Sequence, residues 1–158
     1  MTEPAKKGTA TWVAVCVACV GSFEGLRQVA YYDPVRIPTY CFGETQRPDG
    51  SPVQMGDRAT TEECREMLGE RVQEFGRGVD SCVKVPLPPA RKAAFVSFSY
   101  NVGTGAFCKS TLVKRLNAGD TVGACDELLR WTTAKGVKLP GLVKRREAER
   151  AMCMEGLA

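Results

Sequence analysis

Between residues 31 and 57 the chain changes texture, and that change limits what the whole can fold into. Pro34, Pro38, Gly43, Pro48, Gly50, Pro52 and Gly56 interrupt the stretch too often for a long helix to cross it. Pro48-Asp49-Gly50 is a strong turn signal. Residues 37–42 and 51–55 carry the Tyr, Thr, Val and Ile that suit short strands, so they are expected to pair as a small hairpin-like sheet.

The pattern after residue 60 is helical. Thr60 and Glu63 form a capping box, in which each side chain satisfies an amide that the first helical turn leaves open. Cys64, Met67, Leu68, Val72 and Phe75 then recur at helical spacing and define one apolar face. A helix is expected from Pro89 to about Asn101, broken at residues 102–105. Shorter helices follow over residues 110–118 and 121–131, with Asp120 as a cap, and a last one over 141–155. A small sheet-bearing lobe followed by a mainly helical lobe is an α+β organisation.

The 158 residues are enough for one sizeable core, and 44% hydrophobic with 25% charged residues is a globular composition. A net charge of +4 favours polyanionic surfaces without choosing among them. Much of the positive charge sits late, at Lys135, Lys138, Lys144, Arg145, Arg146 and Arg150, and reads as a solvated face. The chain has no histidine, which removes Ser-His-Asp and Cys-His catalysis and most catalytic zinc sites. Acid–base chemistry must come from carboxylates, Cys, Lys or Tyr.

Eight cysteines are many for this length, and only Cys16 and Cys19 have metal-knuckle spacing, inside an apolar run. Disulfides in an oxidising compartment fit better, with the periplasm the natural choice. Cys125 and Cys153 fall on C-terminal helices that must pack together, so they are the expected bridge; two buried thiols are the alternative. Residues 1–8 form a polar basic tail, and residues 9–158 a single domain. Residues 9–23 carry no charge and are either an apolar first helix or a weak membrane anchor, being shorter than the roughly 20 residues of a stable span.

Glu24 closes that apolar segment, where a helix would set its carboxyl at the rim of a buried lobe. Partial loss of water there favours the protonated acid that a glycosidic oxygen needs as proton donor. Asp33 follows nine residues later in the turn-rich region, and Thr39, six further on, offers a hydroxyl able to hold a water. Taken singly, Glu24 could be a solvated helix end and Asp33 a turn former.

The stretches Phe23-Glu24-Gly25-Leu26-Arg27, Tyr31-Tyr32-Asp33-Pro34 and Ile37 through Gly43 resemble the catalytic block of the phage-type lysozymes, glycoside hydrolase family 24. Ala94 through Gly103, Phe107 through Leu112, Gly123 through Asp126, Arg130-Trp131-Thr132 and Gly141 through Glu147 resemble later blocks of the same family, in the same order. The resemblance implies a lysozyme-like fold, with a small β-hairpin lobe, a mainly helical lobe and an active-site cleft between them. It places the family's catalytic triad on Glu24, Asp33 and Thr39. It also implies hydrolysis of the β-1,4 linkage of peptidoglycan by inversion, with carboxyls roughly 6.5–9.5 Å apart. By the same resemblance Tyr100 and Asn101 contact the sugar chain. Glu44 stands where many members have a histidine.

Within the family the chain is similar to the signal-arrest-release endolysins. That likeness implies transient inner-membrane association through residues 9–23, and holin- or pinholin-dependent release into the host periplasm. From their positions, Cys16 and Cys19 in that segment and Cys41 two residues past Thr39 are expected to serve redox regulation, with thiol exchange locking the released segment as the first helix. The partner implied is the peptidoglycan glycan strand, with no cofactor, no metal and no nucleic acid, and the protein is expected to work as a monomer. Two other readings remain open at this point: a non-catalytic peptidoglycan-binding module and a cationic membrane-active protein.

Overall fold

In the computed structural model, which describes residues 5–157, seven helices and two small sheets make an α+β fold among the described residues. The order is α1 (Ala5–Glu24), β1 (Arg27–Tyr32), β2 (Pro38–Cys41), α2 (Thr61–Cys82), α3 (Pro89–Val102), α4 (Thr104–Lys109), α5 (Thr111–Asn117), α6 (Thr121–Glu127), β3 (Thr133–Ala134), β4 (Val137–Lys138) and α7 (Pro140–Met154). A 3-10 turn at Leu128–Arg130 joins α6 to β3. Of the polar tail expected over residues 1–8, residues 1–4 lie outside the described residues and the remainder begins α1. Among the described residues no helix is long and apolar enough to cross a membrane. Two compact units emerge: Val17–Arg71, and Met1–Cys16 together with Val72–Ala158.

In the Val17–Arg71 unit, β1 and β2 form an antiparallel hairpin with Arg27 opposite Cys41, Tyr31 opposite Thr39 and Tyr32 opposite Pro38. This corrects the expectation that residues 51–55 would be the partner of residues 37–42. Pro52 has no N–H to give a ladder, so that stretch pairs instead with residues 45–47, through an isolated bridge at Gln46 and bonds from the Val53 N–H to the Thr45 carbonyl and from the Arg47 N–H to the Ser51 carbonyl. The expected turn does form, with Gly50 at φ 87° and the Asp49 carboxylate accepting the Ser51 N–H at 2.9 Å. Val20, Cys64 and Leu68 are fully buried in this unit, with Tyr40, Cys41, Phe42 and Val53 nearly so. Gly21 lets α1 approach the Phe42 ring, where a Cβ would sit at 3.5 Å. Cys41 is bonded to Cys64, tying β2 to α2. The capping box holds as expected: the Thr60 N–H donates to Glu63 at 3.0 Å and the Glu63 N–H to the Thr60 hydroxyl at 3.1 Å. Those bonds hold the Glu63 carboxyl below its ordinary value.

The other unit is built around α3, whose residues 93–99 are all buried. Phe98 stands edge-on to Phe107 and to Trp131, with centroids 6.1 and 5.2 Å away. Each such ring contributes about 1.5–3 kcal/mol by leaving water. Trp12 of α1 is 6% exposed and fills the space left by Gly76, where a Cβ would come within 2.5 Å of the indole. The Lys92 ammonium lies 4.8 Å above the same ring. Cys82–Cys108 and Cys125–Cys153 are both bonded. The break expected over residues 102–105 reduces to Gly103 at φ 93°, after which α4 begins at once. The helix expected over 121–131 ends at Glu127. β3 and β4, unforeseen in the sequence, turn through Lys135 and Gly136 at φ 52° and 79°, the left-handed pair that a tight hairpin requires.

The late basic cluster is not one solvated face. Lys135, Lys138 and Lys144 are exposed and Arg150 reaches Asp126 at 2.8 Å, but Arg145 and Arg146 are only 4% and 0% exposed. The buried positions of α7 are Arg145, Arg146, Glu149 and Cys153, at helical spacing, and Glu149 pairs with both arginines, offsetting one of their two charges.

Candidate active site

Glu24 is the last residue of α1 and is half-buried. Gly25, at φ 72°, ends the helix there and turns the chain into β1. The helix end therefore fixes where this carboxyl emerges.

Asp33 and Thr39 are joined through the backbone of one residue, Ile37. The Asp33 N–H donates to the Ile37 carbonyl at 3.0 Å, and the Ile37 N–H returns to Asp33 Oδ1 at 2.8 Å. The Thr39 hydroxyl donates to the same Ile37 carbonyl at 2.9 Å. Asp33 Oδ1 also accepts the Val35 N–H at 2.9 Å, and the Arg36 N–H closes the turn on the Asp33 carbonyl at 2.9 Å. Arg36 adopts φ 62°, a left-handed conformation that lets so short a loop reverse. One carboxylate oxygen is thus occupied by two amides, which fixes the side chain. Thr39 is 4% exposed and its proton is committed, so its oxygen lone pairs remain as acceptors.

Glu24, Asp33 and Thr39 all belong to the Val17–Arg71 unit. Ile37 was not singled out in the sequence, and no signal could have shown it, because only its backbone takes part. Glu44 is 5% exposed and its carboxylate meets Arg71 of α2 at 3.4 Å, an ion pair within this unit.

Tyr100 and Asn101 belong to the other unit. Tyr100 is half-buried against the Phe75 ring, centroids 5.1 Å apart. Asn101 is exposed, and its Oδ1 accepts a hydrogen bond from Arg146. Arg146 also donates to the Trp131 carbonyl at 2.9 Å and contacts Glu149. Glu149 takes the Ser97 hydroxyl at 2.6 Å and lies 3.5 Å from Arg145. Burial pushes the Glu149 carboxyl up from its ordinary value, while Arg146, Ser97 and Arg145 pull it down.

Of the cysteines named for redox chemistry, Cys41 is held in its bond to Cys64. Cys16 is fully buried and Cys19 half-buried, both on α1. Among the described residues no group of three or more His, Cys, Asp or Glu side chains could hold a metal ion.

Comparison with known proteins gives these positions a context. The family described as phage lysozyme matches residues 21–149. A SAR-endolysin of Bacteriophage PS119 is 41% identical over 84% of this chain and 77% of its own length. Among solved structures, an endolysin from Escherichia coli O157:H7 phage FAHEc1 superposes with a TM-score of 0.81 at 36% identity, covering 90% of this chain and 92% of that one. A P22 lysozyme mutant gives 0.83 at 33% identity, over 89% and 96%. A match over most of the sequence, from the end of α1 into α7, shows that this chain belongs to the phage lysozyme family.

Proposed function

We propose that the chain is an endolysin that hydrolyses the β-1,4 linkage between N-acetylmuramic acid and N-acetylglucosamine in bacterial peptidoglycan, by inversion. Glu24 is the general acid. Asp33 is the general base for the attacking water, and Thr39 helps to hold that water. The supporting observation is the Ile37 junction, which places an anchored carboxylate and an acceptor hydroxyl at one end of one hairpin.

The chemistry follows from which lone pairs remain. Asp33 Oδ1 is taken by two amides, so Oδ2 accepts one water proton. The Thr39 hydroxyl donates its own hydrogen bond to the Ile37 carbonyl, so Oγ1 accepts the other. A water held at both hydrogens has its own lone pair directed away, toward the anomeric carbon. As the new C–O bond forms, Asp33 takes the proton, the glycosidic C–O bond breaks, and Glu24 protonates the leaving oxygen.

The enzyme acts in the host periplasm, a reading supported by relatives that carry the name SAR-endolysin. Residues 9–23 hold it at the inner membrane until release, and a holin or pinholin triggers that release. Fractionation before lysis tests this: full-length chain found only in the cytosol rejects the tether.

Glu24→Gln keeps the side-chain shape and removes the acid. Turbidity of permeabilised Gram-negative cells is expected to fall about 10²–10⁴-fold more slowly than with the wild type. Lysis above roughly a tenth of the wild-type rate overturns the assignment of the acid. Proton magnetic resonance of the first product should show the α-anomer; an initial β-anomer overturns inversion.

A further inference from the structure

Helix α3 is buried from Ala93 to Ser99 and surfaces again as it ends, at the half-buried ring of Tyr100 and the exposed amide of Asn101. An aromatic ring offers an apolar face to the C–H groups of a ligand, and a carboxamide beside it meets the ligand's polar groups. What distinguishes this amide is that its orientation is imposed from inside the protein.

The imposing group is Arg146. It is 0% exposed, with Nε donating to the Trp131 carbonyl at 2.9 Å, Nη1 on Glu149 and Nη2 on Asn101 Oδ1. Its guanidinium lies 4.8 Å from the Phe98 ring centroid. Glu149 is equally buried and is itself bonded to Ser97. A guanidinium has donors and no acceptor, so it can meet only the oxygen end of the amide. Chemistry therefore settles which way Asn101 faces, where an isolated exposed asparagine could present either end.

We propose that Arg146 is a positioning residue: by holding Asn101 Oδ1 it leaves the Nδ2 hydrogens of that amide to donate to the carbonyl oxygen of a sugar N-acetyl group. The proposal rests on the peptidoglycan reading and deepens it, because both sugars of that polymer carry an acetamido carbonyl. A hydroxyl can donate or accept and would meet either end of a freely flipping amide. A carbonyl only accepts, so a locked donor selects it. Removal of the acetyl group leaves an ammonium, a donor, which a locked donor opposes.

Asn101→Asp tests this, because aspartate keeps an oxygen for Arg146 and turns the exposed donor into an anionic acceptor. Steady-state kinetics would be run on N-acetylated glycan strands and on the same strands after de-N-acetylation. The expected result is a KM about tenfold higher on acetylated strands, with no rise on de-N-acetylated strands and little change in kcat. A merely structural role would move both substrates alike, and that outcome, or an unchanged KM on acetylated strands, overturns the proposal.

A second measurement needs no change at Asn101. In the full chain carrying Glu24→Gln, the Asn101 carboxamide proton resonances should shift on adding the N-acetylglucosamine tetramer and stay in place with the glucosamine tetramer. Resonances unmoved by the acetylated tetramer overturn the contact, and if the wild type still cleaves wall the hydrolase reading stands. A wild type that cleaves no wall overturns the hydrolase reading instead, and the titration still decides the contact.

Discussion

Asp33 and Glu149 are both carboxylates held by several hydrogen bonds, one in each unit, yet their surroundings are opposite. Asp33 is half-buried and fixed by the backbone, through the Val35 and Ile37 amides, with no cation bonded to it among the described residues. Glu149 is fully buried and fixed by side chains, two of them arginines. The Val17–Arg71 unit spends backbone amides on orienting a group that still reaches water. The helical unit places ionic groups inside, where they order the helices around them. A carboxylate of the first kind is suited to accept a proton from a ligand, and one of the second kind is suited to hold a fold together.

The sharpest way to break this comparison is to neutralise each carboxylate in turn. Asp33→Asn keeps an oxygen for the two amides and removes the charge, which Asp33→Ala would not separate. Hydrolysis is expected to fall about 10²–10⁴-fold with the melting temperature unchanged. A large drop in melting temperature would show that Asp33 is structural after all.

Glu149→Ala should do the reverse. It leaves Arg146 and Arg145 buried beside a lost partner, at a cost of about 3–5 kcal/mol, read by urea unfolding. Unfolding within about 1 kcal/mol of the wild type would show that water or another group takes over the charge.

A third test concerns the covalent tie within the helical unit. Cys125 and Cys153 are 28 residues apart in sequence and both fully buried. Replacing both by serine should cost about 2–4 kcal/mol, and non-reducing peptide mapping should recover the pair from the wild type.

The smallest effect is expected for a half-buried ion pair in the hairpin unit. Arg47 grips Asp57 through both carboxylate oxygens, at 2.8 and 2.9 Å, and holds that carboxyl below its ordinary value. A depressed carboxyl contributes stability above its unfolded value, and the contribution disappears as pH falls through the folded one. Asp57→Asn should therefore lower the melting temperature slightly near neutrality, and the gap to the wild type should close in acid. A gap that persists at the lowest pH would assign the effect to packing.

Sequence patterns carried the helices well and the sheet poorly, for physical reasons. α2 announced itself through its capping box and apolar spacing, both of which are local. β1 gave little sign, because Arg27, Gln28 and Val29 are all exposed and its pairing is irregular between Arg27 and Tyr31. Its partner is chosen by the turn at Asp33, not by hydrophobic alternation. Residues 51–55 looked like a strand by composition but contain the proline that prevents a ladder. At the candidate site, the positions of Glu24, Asp33 and Thr39 were legible through family resemblance. The Ile37 junction was not, since backbone bonds leave no residue preference. Arg145 and Arg146 read as surface charge because their burial depends on a glutamate a helical turn away and on helices distant in sequence.

The chain contains two tryptophans, and the enclosure of Trp12 gives the first helix a spectroscopic consequence. An indole shut in against Gly76, with an ammonium over its face, emits at short wavelength and resists a dissolved quencher such as acrylamide. In a Trp131→Phe background all indole emission comes from α1. A red shift, with quenching restored, would time the moment when that helix leaves its seat, while the rest of the molecule adds no indole emission.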